Sequence, residues 1–441
     1  MSLLLVEGVA GTGKTTRLLE ESRDHLAKHP LGANQRSLAL TKFHGSRRRM
    51  EAKLTGSSGV GYYVDCLTID SFAWSILRRW RSLVRHLGIN FHENDFASVT
   101  SAAGQLLRHS AVVDWVTRRN PLLVVDELQD CKGGEVEILA HLARQIKCLC
   151  AGDGFQDLSG AKENEAIAWA KAEGEVLTLK QVERTLVKGL LDAASALRNG
   201  EPLKLGDSSG FEIVTVPKAP LGAARVSWSI KSWSTFGQVA IISPCKPKTS
   251  PFVDKLLEWV GTKAATNKKN KATAGPFHIQ WEVGEDALCQ DITEMLDLPK
   301  SPDEHVSCRQ LADKAERARF YDIRDWLDRQ RNVSGRETIP TSTMINQIGW
   351  IIHRRRAFGR PRDQRRVVTT VHQAKNREFE SVIVLWPLRL TQDKEQQRRL
   401  LYNAISRAKR QVLVIVEDPK RDRLNNSPFV AHGFGHPSLL L

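Results

Sequence analysis

Two short strings in the 441-residue sequence carry the residue types of nucleotide hydrolysis. The first is Gly8-Val9-Ala10-Gly11-Thr12-Gly13-Lys14-Thr15, a G-x-x-x-x-G-K-T pattern followed by Thr16. Its glycines let successive backbone N–H groups converge on phosphate oxygens, and a helix starting there adds the positive end of its dipole. Gly8, Gly11, Thr12, Gly13, Lys14, Thr15 and Thr16 are therefore candidate nucleotide contacts, with Lys14 reaching the terminal phosphates and Thr15 holding magnesium. The second string is Leu122-Leu123-Val124-Val125-Asp126-Glu127, an apolar run closed by two carboxylates. Asp126 would orient the metal and Glu127 would activate water. Such a pair alone often only caps the next helix; beside a phosphate loop it points to hydrolysis.

These residues need strands that end where they stand. Leu3 to Glu7 reads as a buried strand, the glycine string as its turn, and Thr15 to His25 as the following helix. Similar apolar runs recur at Ser37 to Leu40, Leu122 to Val125 and Cys148 to Ala151, spaced for crossovers, as in a parallel α/β sheet. A second series starts near Val176, continues through Val239 to Ile242, and closes with Val367 to Val371, Ser381 to Leu385 and Gln411 to Val416. Between its members, Lys300 to Arg366 reads as helical and polar, with 16 Lys and Arg against 9 Asp and Glu. Lys263 to Lys271 (KAATNKKNK) has no period and reads as a mobile surface loop.

The formal net charge of +15 and pI near 9.6 favour a polyanionic partner. Seven scattered cysteines without a CxxC pair argue against a disulfide framework or a zinc site, and fit a reducing cytoplasm. The apolar Leu3-Leu4-Leu5-Val6 is too short for a signal peptide or a membrane span, so no membrane partner is expected.

Asp126-Glu127-Leu128-Gln129-Asp130 resembles the DExQD string of superfamily 1A DNA helicases of the UvrD/Rep/PcrA type, and other motifs follow in family order. Leu38 to Met50 resembles motif Ia, Thr68-Ile69-Asp70-Ser71-Phe72 the T-F-H-S-F element, and Gly152-Asp153-Gly154-Phe155-Gln156 motif III. Leu179 to Thr185 resembles motif IV, Thr370 to Phe379 the T-x-H-x-A-K-G-x-E-F string of motif V, and Arg399 to Lys409 motif VI. The resemblance implies two RecA-like P-loop domains with parallel sheets, each carrying a small, mainly helical insertion. Gln156 would couple nucleotide to nucleic acid, Arg184 and Arg407 would be arginine fingers beside the catalytic Glu127, and Glu378 would contact the nucleotide. Thr41, Phe43, His44, Thr68, Phe72, Phe155, Thr370 and His372 would meet the nucleic acid.

The chain departs from that pattern in places. Seven residues precede Gly8, which leaves no room for an upstream adenine-reading glutamine, and Glu183 stands where motif IV has a tyrosine. Asp157 follows Gln156 in place of an aromatic, Asp70 replaces a histidine, and Asn376 replaces the motif V glycine, a mild change because asparagine tolerates left-handed geometry.

The expected organisation is a first RecA-like domain of residues 1–81 and 121–175, with a helical insertion at 82–120. A second follows at 176–299 and 367–425, with a basic insertion at 300–366 and a tail at 426–441. The expected activity is ATP- and Mg2+-dependent translocation or unwinding on single-stranded or partly duplex DNA, running 3′ to 5′ in a bacterial cytoplasm. The alternative is an ATP-gated, nucleic-acid-sensing subunit that works with a nuclease or another protein, as short helicases do in anti-phage defence of the Gabija kind.

Overall fold

The computed structural model describes residues 3–55, 64–92, 95–161, 163–201, 210–267, 269–282, 285–358, 365–388, 390, 393–419 and 438–439. Among these, two six-stranded parallel sheets organise residues 1–281 and 364–441, and residues 282–363 form a separate compact unit.

The first sheet comprises Leu3–Gly8 (β1), Ser37–Thr41 (β2), Val64–Thr68 (β3), Leu122–Asp126 (β4), Lys147–Gly152 (β5) and Glu175–Leu179 (β6). Its order is β3-β2-β4-β5-β1-β6, every neighbour parallel. All five residues of β2 and of β4 are buried, as expected when helices cover both faces of a parallel sheet. The strand Glu175–Leu179 was expected to begin the second series. Instead Glu175 to Leu179 pair with Leu4 to Gly8, so this strand completes the first sheet. A short apolar run does not encode which sheet it joins.

The helices Arg81–His86, Phe96–Leu106 and Ser110–Arg119 occupy the region of the expected first insertion. Val99, Leu106, Val112 and Val116 share one apolar cluster with Leu38 and Val125 of the sheet, so this region is packed into the first core.

The second sheet contains Phe211–Val216 (β7), Val239–Ser243 (β8), Arg366–Thr370 (β9), Phe379–Trp386 (β10), Ala408–Glu417 (β11) and Ser438–Leu439 (β12), in the order β9-β8-β10-β11-β7-β12, again all parallel. Ala265–Thr266, in the lysine-rich segment expected to be a mobile surface loop, pairs antiparallel with Thr273–Ala274 just beyond it, and the Lys231 ammonium donates to the Thr273 carbonyl at 2.7 Å. Beyond Ser438 and Leu439, the expected tail lies outside the described residues.

The unit of residues 282–363 is built from the helices Glu285–Met295, Cys308–Arg317, Tyr321–Asn332 and Thr341–Phe358 around Leu296, Leu311, Leu327, Met344 and Ile348. Cys308, Leu311, Ala312 and Ala315 are the buried stripe of one helix, the spacing that turns a single helical face inward. No described helix is long and apolar enough to cross a membrane.

Candidate active site

In open parallel sheets, ligands gather beyond the carboxyl ends of the strands. Here β1 runs into the glycine loop, β4 ends at Asp126, and β5 leads into Asp153 and Gln156. Thr41, the last residue of β2, is a register partner of both Thr68 and Asp126.

Gly11 and Gly13 have φ of 86° and 76°, which residues with a Cβ rarely adopt. A Cβ at Gly11 would also lie 2.7 Å from the Cβ of Arg184. The Lys14 ammonium donates to the carbonyls of Gly8 and Val9 at 2.9 and 3.0 Å. Burial pushes its pKa down, while Asp153, Glu127 and Asp126 pull it back up. The Thr12 hydroxyl donates to the Val9 carbonyl, so Gly8 and Thr12 shape the loop and the other candidate phosphate contacts face the cavity.

The Thr15 hydroxyl donates to Asp126 at 2.9 Å. Burial, followed by the neighbouring Glu127 charge, raises the Asp126 carboxyl to about 6. A hydroxyl beside a buried carboxylate is the hard-oxygen pair that suits Mg2+, whose other ligands in such sites are water and phosphate. Glu127 sits in the left-handed region at φ 57°, and its carboxylate accepts from the Gln129 amide at 2.7 Å. Gln129 in turn accepts the backbone N–H of Asp153 at 3.0 Å, tying β4 to β5 at their functional ends.

Residues from beyond the first sheet close the cavity. Arg184 lies on the segment leading from β6 toward the second sheet; it pairs with Glu378 at 2.9 Å and donates to the Ser406 carbonyl at 2.7 Å. Although burial acts to raise it, the Arg184 and Lys409 charges hold the Glu378 carboxyl below its usual range. Arg407, 3% exposed, donates to the Asn403 carbonyl at 3.0 Å and to the Gln156 side chain at 3.4 Å. Burial, then repulsion from Arg184, lowers its pKa to about 10. Lys14, Thr15, Asp126, Glu127, Gln156, Arg184, Glu378 and Arg407 thus line one cavity of about 410 Å³, together with Lys53, Glu183 and Lys409.

Residues 366–415 match the UvrD-like helicase C-terminal domain, and residues 1–210 match an AAA domain. Together the two matches support a UvrD-like superfamily 1 helicase. No curated protein matches it. The crystal structure of Arterivirus nonstructural protein 10 (helicase) is similar over 96% of this chain, with 12% identity and a TM-score of 0.37; this chain spans only 61% of that one. The two family matches support a helicase-type, NTP-hydrolysing protein.

Hydrogen bonds and ion pairs also join residues that motif spacing did not single out. Asp153, fully buried, accepts from Arg198 at 2.6 Å, from the Phe155 N–H at 3.1 Å, from the Tyr402 hydroxyl at 3.1 Å and from Gln156 at 3.3 Å. Tyr402 also accepts the Ala10 N–H at 2.8 Å. Lys375 pairs with Asp130 at 2.6 Å, both nearly buried. Tyr402 and Lys375 lie inside recognised strings, whereas Arg198 sits on the ordinary amphipathic helix Lys188–Asn199 and gave no signal.

The expected nucleic-acid contacts scatter. Phe43 is 42% exposed and His372 is exposed. The side chain of His44 lies outside the described residues. Thr68 and Thr370 are buried helix N-caps, and Thr41 is buried. Phe72, 4% exposed, packs in the core of the first sheet and offers no face for stacking. Phe155 stands edge-on to Tyr402 at 5.0 Å, with the guanidinium groups of Arg198, Arg398 and Arg399 within 5.8 Å of its ring. Asn376 takes the left-handed conformation at φ 62°, as expected of the residue replacing the motif glycine.

Proposed function

We propose that this UvrD-like helicase is an ATP- and Mg2+-dependent motor on single-stranded DNA, moving 3′ to 5′. The observation that carries the reading is the cavity itself, in which Lys14, Thr15, Asp126 and Glu127 of the first sheet face Arg407 of the second. In this reading Thr15 and Asp126 hold magnesium, which neutralises phosphate charge, and Lys14 binds the terminal phosphates. Glu127, fixed by Gln129, takes the proton of the attacking water, while Arg184 and Arg407 stabilise charge developing on the transferred phosphoryl group. Gln156, joined to Arg407 and Asp153, reports the nucleotide state to the strand-binding edge.

The buried Phe72 and the packed Phe155 favour a second reading, a gated subunit that senses DNA with few stacking contacts and needs a partner to unwind. Hydrolysis by the purified protein, with and without single-stranded DNA, tests both when paired with strand displacement. DNA-stimulated turnover that Glu127→Gln and Arg407→Ala abolish, together with displacement, supports the motor. Stimulation without displacement supports the subunit, and hydrolysis indifferent to DNA rejects both.

A further inference from the structure

Residues 71–92 contain four arginines and two histidines but no aspartate or glutamate. They form the helices Ile69–Arg79 and Arg81–His86, the first of which starts at Thr68 on the functional edge of the first sheet. Arg78, Arg79, Arg81, Arg85 and His86 are all exposed, and among the described residues none of them pairs with a carboxylate. Charges of one sign left without partners along consecutive turns repel one another, an arrangement that a polyanion relieves.

Aromatic rings are interleaved with these cations. The Arg79 guanidinium lies 5.7 Å from the ring of Trp115, itself 37% exposed, and Trp80 meets Trp115 edge-on at 6.4 Å. A cavity of about 410 Å³ opens among Arg79, Trp80, Arg81, Ser82, Leu83 and His86. The indole N–H of Trp80, one of its lining residues, is buried and has no acceptor among the described residues. On the helix that carries Trp115, Asp114 is the lone carboxylate, followed by Arg118 and Arg119.

We propose that this surface is a second binding site for single-stranded DNA. Arg79 and Arg81 hold phosphates, and the exposed Trp115 ring stacks on a base. The site rests on the strand-binding reading given above and extends it away from the nucleotide cleft. Rings beside cations favour an unpaired strand, since bases within a duplex have no free faces to stack on.

The test is fluorescence anisotropy with a labelled oligo(dT) across a salt series, using wild type, Trp115→Ala and the double variant Arg79→Gln/Arg81→Gln. All three substituted side chains are at the surface, and a melting curve checks that each variant is folded. Trp115→Ala should weaken binding about 5- to 150-fold. The double variant should flatten the slope of log K against log salt by about 0.7 per lost phosphate contact. Basal ATP hydrolysis without DNA should stay unchanged in both. Wild-type binding that neither variant alters in affinity or slope overturns this site and leaves the motor reading standing, as does a loss confined to a blunt duplex. Failure of the wild type itself to bind oligo(dT) removes the underlying reading together with the site.

Discussion

The hydroxyl of Tyr402 accepts the backbone N–H of Ala10 at 2.8 Å and donates to Asp153 at 3.1 Å. One side chain from the helix Lys394–Ile405 thus joins the phosphate loop to the segment following β5. Tyr402→Phe leaves the ring against Phe155 but strips a partner from the buried Asp153 and from the part-buried Ala10 N–H. Urea unfolding should show a loss of about 1–3 kcal/mol, and the dependence of turnover on DNA should weaken because the loop no longer senses the second sheet.

Lys14→Ala removes the one flexible cation among the phosphate-loop residues that line the cavity. Steady-state hydrolysis should fall at least about 10²- to 10³-fold, with or without DNA. Full turnover in this variant would place the chemistry elsewhere.

Arg407→Ala and Arg184→Ala should each lower kcat by about 10³-fold or more while nucleotide affinity changes far less, because both charges act chiefly on the transition state. Single-turnover hydrolysis combined with equilibrium binding of a labelled nucleotide separates the two effects.

The Asp130 carboxyl, raised to about 6 chiefly by burial against the opposing pull of Lys375, makes stability depend on pH. Its folded pKa lies above the unfolded one, so between pH 4 and 6 the folded state binds the extra proton. Stability from this group is present at low pH and is lost as pH rises through 6. Wild type should therefore lose stability relative to Asp130→Asn by about 3 kcal/mol between pH 4 and 7, measured by paired urea titrations. A difference that is flat with pH would contradict the assignment.

Phe72 and Phe43 should behave oppositely. Phe72→Ala empties part of a packed core and should cost about 3–5 kcal/mol of stability. Phe43→Ala, at an exposed ring, should leave the melting temperature nearly unchanged and weaken DNA binding by about 1–3 kcal/mol.

The phosphate loop and the acidic strand end were legible because each is a local string whose backbone geometry depends on its own residues. Asn376 could be read as tolerating left-handed backbone and adopts it; Gly11 and Gly13, read as letting N–H groups converge on phosphate, adopt it as well. Phe72 could not be placed, because a ring within a recognised string reads the same whether it faces solvent or core. The membership of Glu175–Leu179 and the pairing of Arg198 with Asp153 were hidden for another reason: both depend on partners far away in the chain, and neither the pattern of a short strand nor that of an amphipathic helix names its partner. The charge count located the basic insertion from Lys300 onward but passed over the helix Glu285–Met295, which is not basic and belongs to the same compact unit.

The carbonyl of Gly11 accepts the backbone N–H groups of both Glu183 and Arg184, at 2.8 and 3.0 Å. Those residues lie on the stretch by which the chain passes from β6 to the helix Lys188–Asn199. The passage between the two sheets is therefore stitched to the phosphate loop through main-chain atoms, which substitution of side chains cannot undo. For anyone building chimaeras from related chains, a crossover placed within residues 180–187 would separate two pieces that fit only as a matched set, and the loop would have to be exchanged along with the passage.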